Sequence, residues 1–181
     1  MNEVLMTIEN RASCRAFSDD MIADEIIEKI AYAGVCAPSA RNLQPWKIVV
    51  IKDKELINAM DDEGMRVLKA QEDPSAYNRF MERGGHLFYN APLMFVILKK
   101  DNADLDVGIV AQNIVLAATS LGLGSVHCGM ARIPFENLQF QQQVGINHQW
   151  QLGTTILVGH PAKEFTPHTP DLNKIEYINA K

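Results

Sequence analysis

The chain has 181 residues, enough for one domain that buries a core without disulfides or metals. Its 47% hydrophobic and 22% charged residues are those of an ordinary globular protein, and a net charge of -5 argues against a general nucleic-acid or membrane-surface binder. Cys14, Cys36 and Cys128 are widely spaced and form neither a zinc spacing nor a CxxC pair, so they read as small buried residues in a reducing compartment. The first residues lack the basic start and long apolar run of a secretory signal, and the expected location is the cytoplasm.

Val4, Leu5 and Ile8 suggest a short amphipathic helix running into residues 10–17. There Arg11, Ser13 and Arg15 alternate, so in an extended chain all three side chains share one face. Two forked guanidinium groups around a hydroxyl suit a phosphate or carboxylate, although a pair of solvated surface arginines has the same pattern. Ile26, Ile27, Ile30, Ala31 and Gly34 predict a helix over 23–36, with Asp24 and Glu25 complementing the dipole of its first turn. Pro38 stops that helix. The stretch Ala37-Pro38-Ser39-Ala40-Arg41-Asn42-Leu43-Gln44-Pro45-Trp46 then presents the uncharged polar groups of Ser39, Asn42 and Gln44. Such groups at the mouth of a sheet suit a flat, hydrogen-bonding ring more than an ion; an ordinary helix-to-strand corner is the plainer reading. The β-branched run at 47–51 predicts a buried strand.

Residues 54–70 are helical by periodicity, with Leu56, Ile57, Met60, Met65, Val67 and Leu68 as apolar positions. From 71 to 90 the pattern weakens around Glu72-Asp73-Pro74-Ser75, which marks either a mobile cover over a pocket or a plain surface excursion. The unbroken apolar run 93–98 predicts a central strand buried on both faces. A helix from 104 or 106 to 121, closed by Gly122, is apolar all round, which points to burial at a subunit interface. Residues 124–130 read as a short strand ending at Gly129, where backbone can approach a ligand closely. His127 stands alone beside that strand and reads as structural rather than metal-binding. A glutamine-rich helix at 135–144 and a last strand at 150–158 follow, leading into Gly159-His160-Pro161-Ala162-Lys163. The tail, 164–181, carries Ile175, Tyr177 and Ile178 without an element of its own and is expected to pack on another body, such as a second subunit.

No repeat, linker or low-complexity tract divides the chain, so a single α+β domain is expected, with a mostly antiparallel or mixed sheet and helices around it. There is no correctly spaced GxGxxG, no P-loop, no GxSxG elbow and no zinc or iron–sulfur pattern. An anion pocket, an amide-rich loop and a glycine turn remain. Together they would hold a molecule with a phosphate at one end and a planar, polar-edged ring at the other.

Arg11-Ala12-Ser13-Cys14-Arg15-Ala16-Phe17 and the 37–46 stretch resemble the two signature segments of the FMN-dependent nitroreductase family. Ala91-Pro92, Ala111-Gln112-Asn113, Leu121-Gly122-Leu123-Gly124 and Gly159-His160-Pro161 recur in that family's order and spacing. The resemblance implies a homodimeric three-layer sandwich with FMN at the interface, over one domain of residues 1–181 whose extension 165–181 packs on the partner. It also implies ping-pong transfer from NADH or NADPH to a small electron-poor acceptor such as a nitroaromatic or quinone, with no nucleic-acid or membrane partner. By the same resemblance Arg11, Ala12 and Ser13 meet the phosphate end, and Arg15 lies near flavin N1 and O2, where a cation favours the reduced, negatively charged ring. Pro38, Ser39 and Ala40 run along the ring, in this family often from the partner chain. Asn42 and Gln44 meet the ring edge and ribityl chain, and the turn at Cys128 and Gly129 offers a backbone amide to N5. No catalytic acid, catalytic base or metal is implied. The family's late arginine or basic pair is replaced here by Lys163, with Arg41 as a second candidate. Other flavin chemistry on the same scaffold, such as enone reduction or dehalogenation, and non-catalytic flavin binding are the alternatives.

Overall fold

A computed structural model describes residues 1–178; the last three positions of the expected extension, 179–181, lie outside the described residues. In chain order the elements are α1 (Glu3–Asn10), α2 (Asp24–Val35), β1 (Trp46–Ile51), α3 (Lys54–Lys69), α4 (Ser75–Glu82), β2 (Leu93–Lys99), α5 (Asp104–Ser120), β3 (Gly124–His127), α6 (Leu138–Val144) and β4 (Gln151–Gly159). The four strands pair antiparallel throughout in the order β1-β2-β4-β3. Helices cover both faces, which makes the molecule α+β and three-layered.

The centre of the sheet explains the layers. Along β2, Met94, Val96 and Leu98 face a core shared with α3, α4 and α6, while Leu93, Phe95 and Ile97 face one shared with α2 and α5. Alternate side chains of a strand leave on opposite faces, so a strand buried on both must be apolar at every position. β2 is fully buried up to Leu98. The expected central strand is where the sequence placed it.

Four expectations need correction, the first being that Cys36 is exposed rather than buried, because it caps the end of α2 outside the helix's apolar face. The strand at 46–51 is an edge strand, not a buried one: Lys47 is exposed and Ile48, Val49 and Val50 are half-buried, and no strand among the described residues pairs with its outer side. The apolar character of α5 is satisfied inside the chain. Val107, Val110, Ala111, Ile114, Val115 and Ala118 pack beneath α2 and against the sheet, so no second subunit is needed to account for their burial. In the weak 71–90 region a helix forms, α4. Asp73 accepts from the Ser75 N–H at 2.9 Å just ahead of its first turn, and Phe80 is its buried anchor.

Candidate functional site

Residues 11–17 lie along the outer edge of β3. Ser13 bridges Ser125, the Cys14 N–H donates to the Ser125 carbonyl at 3.0 Å, and Phe17 bridges Pro161. The strip is tied down further by the Ser18 N–H to the His160 carbonyl at 2.9 Å and the Ala162 N–H to the Ala16 carbonyl at 3.0 Å. Close approach requires missing side chains opposite: a Cβ on Gly124 would stand 2.7 Å from Cys14 Sγ, and one on Gly159 would stand 2.8 Å from Phe17 Cδ1. Cys14 and Phe17 face the core, which leaves Arg15 exposed and Arg11, Ala12 and Ser13 half-buried. Arg11 Nη1 donates to Ser13 Oγ at 3.2 Å, so the two act as one donor group.

Beside this strip lies a cleft of about 670 Å³, lined by Ala12, Cys14, Thr119, Lys163 and Phe165 among others. Lys163 Nζ stands 5.6 Å from the Phe165 ring centre, and Glu164 is the acid beside it. Lys163 is the cation of that cleft, whereas Arg11, Ser13 and Arg15 alternate with its lining residues Ala12 and Cys14 along the strip. At the other end of β3 the Cys128 N–H is bound to the Thr155 carbonyl at 2.9 Å, and Gly129 opens a 3-10 turn to Arg132. As first residue of the turn, Gly129 has no acceptor for its N–H within it. A Cβ there would meet nothing within 4 Å, so the space beside its α-carbon is open. Neither nearby thiol is a nucleophile at neutral pH: burial raises the Cys14 pKa and pushes that of Cys128 to about 11.

The polar loop is built differently. Arg41, Asn42 and Gln44 all adopt left-handed backbone, with φ of 53°, 55° and 46°. Ser39 stabilises it, its Oγ accepting from the Gln44 N–H at 2.9 Å, while Gln44 Nε2 donates to Asn42 Oδ1 at 3.0 Å. Pro38, Ala40, Asn42 and Gln44 are exposed and Ser39 is half-buried. This loop feeds β1, at the opposite edge of the sheet from β3, with β2 and β4 between them. At about 4.8 Å per strand that separation is roughly 14 Å or more. One chain therefore brings together Arg11, Ala12, Ser13, Arg15, Cys128, Gly129 and Lys163, but not the Pro38, Ser39, Ala40, Asn42 and Gln44 group.

A second polar set was not singled out in the sequence. On α3, Asp61 is buried and accepts the Phe88 N–H at 2.5 Å, with His86 Nδ1 at 3.5 Å from its other oxygen. Lys54 Nζ donates to the Asn90 carbonyl at 2.8 Å and to its side-chain oxygen at 2.7 Å. Both side chains grip the loop where Tyr89 and Asn90 take φ of 54° and 62°, and the Tyr89 carbonyl accepts the Phe17 N–H at 3.2 Å. The signal available was Asp61 itself, an acid in the apolar stripe of Ile57, Met60, Gly64 and Leu68. Among the described residues no group of His, Cys, Asp or Glu could hold a metal ion, and no helix is long and apolar enough to cross a membrane.

A family model described as "Nitroreductase family" matches residues 8–160. The chain is similar to a crystal structure of a nitroreductase with bound FMN from Desulfitobacterium hafniense, with 42% identity, a TM-score of 0.94, and coverage of 99% of this chain and 100% of the other. It is 31% identical over 172 residues to an Archaeoglobus fulgidus protein with the provisional name NADH dehydrogenase/NAD(P)H nitroreductase, covering 91% of this chain and 88% of the relative. An NADPH-flavin oxidoreductase of Vibrio harveyi is 29% identical over 174 residues, 94% of this chain and 71% of its own. With that model matching most of its length, the chain belongs to the nitroreductase family.

Proposed function

We propose that the chain is an FMN-dependent oxidoreductase that draws hydride from NADH or NADPH and passes it to a nitroaromatic or quinone acceptor in ping-pong order. The observation that carries the reading is the placing of the Arg11–Ser13 donor pair, Lys163 and the Gly129 turn along one sheet edge. FMN, when bound, supplies reversible hydride uptake at ring nitrogen N5. The donor set fits that group: forked and point cations for a phosphate, and a bare backbone N–H for a ring nitrogen. Arg11, Ala12, Ser13 and Lys163 hold the phosphate end, with Arg41 as a second candidate cation. Arg15 opposes negative charge on the ring, and the Cys128–Gly129 turn orients N5 while leaving the ring face free for nicotinamide or acceptor. The relatives support the cofactor and donor, since one is solved with FMN and another is named for NADPH and flavin.

The Pro38, Ser39, Ala40, Asn42 and Gln44 loop reaches the ring from a second copy of the chain, which its position at the far sheet edge supports. The unit is thus a homodimer of single domains spanning 1–181, each with residues 165–181 laid on its partner. To test this, the purified protein is supplied with FMN, freed of unbound flavin and mixed anaerobically with NADH, then NADPH. A retained yellow band that bleaches with either donor is expected, and no retained flavin would overturn the reading. Arg11→Met should weaken FMN binding by roughly 10–100-fold, the worth of a hydrogen bond to a charged group.

A further inference from the structure

We infer that Lys54 and Asn90 act as a positioning pair for this site: they fix where the end of the 11–17 strip lies, and with it the place of Arg15 beside the ring. This rests on the FMN reading above, which assigns neither residue a role. The starting observation is backbone. Tyr89 and Asn90 are consecutive left-handed residues, with φ of 54° and 62°, and neither is a glycine. Such conformations persist only where the surroundings hold them, and they gather at functional sites. Here the holding group is Lys54, the half-buried first residue of α3. Its Nζ donates to the Asn90 carbonyl at 2.8 Å, to Asn90 Oδ1 at 2.7 Å and to the Ala91 carbonyl at 3.3 Å. A lysine ammonium has three donors, so all of them go to adjoining residues of one loop. The Asn90 amide is in turn engaged at both ends: its oxygen accepts from Lys54, and its nitrogen donates to Asp19 Oδ1 at 2.8 Å. A neutral amide between a cation and a carboxylate makes charge-assisted bonds on each side, which are the stronger kind.

From that loop the bonds lead step by step to the site. The Tyr89 carbonyl accepts the Phe17 N–H at 3.2 Å and Asn90 holds Asp19, so the end of the strip is gripped at alternate residues. Ser18, between them, donates its N–H to the His160 carbonyl at 2.9 Å, and Phe17 bridges Pro161. One step further along, the Ala162 N–H meets the Ala16 carbonyl at 3.0 Å. Arg15 adjoins Ala16, and Lys163 adjoins Ala162; Pro161, Ala162 and Lys163 line the cleft. Two cations of the proposed site thus stand one residue from a link whose alignment the loop sets. Without the Lys54–Asn90 pair the strip's end is free to shift against residues 160–162, and Arg15 shifts with it. A cation beside the ring favours its reduced, negatively charged form, so displacing that cation lowers the flavin potential.

The measurement is the midpoint potential of the FMN-loaded protein, read from its visible spectrum. It is made in wild type, Lys54→Met and Asn90→Gly, and in each variant combined with Arg15→Gln. Glycine adopts left-handed backbone readily, so Asn90→Gly removes the side-chain link while keeping the loop, and it decides the matter where Lys54→Met does not fold. Each single variant should favour reduced over oxidised FMN about tenfold less than wild type does, which is about 30 mV in a two-electron potential. With Arg15→Gln already present, neither change should lower the potential further. An unmoved potential in either folded single variant overturns the assignment. So does a fall that persists without Arg15, since the pair would then act on the ring by another route. Wild type that retains no flavin overturns the FMN reading itself, whereas retained flavin with an unmoved potential overturns only the Lys54–Asn90 assignment.

Discussion

Asp61 sits where the apolar stripe of α3 meets the 86–91 loop, and its carboxylate accepts the Phe88 amide. Burial raises its pKa, against the opposing pull of the Phe88 amide and His86. A raised carboxylate pKa means the folded state holds the proton more tightly than the unfolded chain does. The group's contribution is therefore most favourable below its ordinary value of 3.8 and is lost as pH rises through the raised value. Asp61→Asn keeps an acceptor oxygen and does not titrate, so its stability relative to wild type should improve as pH rises. Asp61→Ala strands the Phe88 N–H and should cost about 1–3 kcal/mol. Urea unfolding of the three proteins across that range checks both statements. Much of the candidate site could be read residue by residue from the sequence, because Arg11, Ser13 and Arg15 state their chemistry at a fixed spacing. Asp61 could not be assessed that way, since what matters about it is a pair of neighbours, His86 and Phe88, far along the chain.

The β2–β4 pairing slips by one residue between Ile97 and Leu98, and the extra residue, between Leu152 and Thr154, is Gly153. A Cβ there would lie 2.8 Å from the Ile97 carbonyl oxygen and 3.0 Å from Val107 Cγ1. The first is backbone in the central strand and cannot step aside. Gly153→Ala should therefore cost about 1–3 kcal/mol, with loss of amide-exchange protection centred on β2 and β4. The longer elements were legible because each carries its own period: α2, α3 and α5 end within about two residues of where apolar spacing put them. α4 was not, because only Phe80 in it is buried and a one-residue stripe has no period. β1 was misread as buried because its apolar run matches that of a central strand. Its edge position depends on the order in which strands pair, which no single stretch encodes.

Taken as a molecule, the chain leaves a great deal of apolar surface uncovered. None of the residues of α1 is buried, Tyr32 is 71% exposed, and the tail ends in Ile175, Tyr177 and Ile178, the last 94% exposed. Between α1, α2 and α5 runs a groove of about 550 Å³ lined by Val4, Tyr32, Leu116 and Ala117. These surfaces are what the proposed dimer would cover. A chain ending at residue 164 should dissociate at least tenfold more readily than the full chain, measured by sedimentation equilibrium. An unchanged dimer would take the tail out of the interface.

The strip that carries Arg11 and Ser13 has one more consequence, and it concerns synthesis. Tyr89, which accepts from Phe17, comes earlier, but Ser125, His160, Pro161 and Ala162 lie more than a hundred residues after the strip. A ribosome releases the N-terminal strip early, at a rate of about 5–20 residues per second, and the strip must wait until β3, and then the segment after β4, emerge. Closing so wide a loop is slow compared with forming a helix. The cleft lined by Ala12 and Lys163 is consequently among the last features to form. Cofactor capture would then mark a finished polypeptide, and a chain truncated before residue 160 would pass through the cell with its arginines in place and nothing for them to close upon.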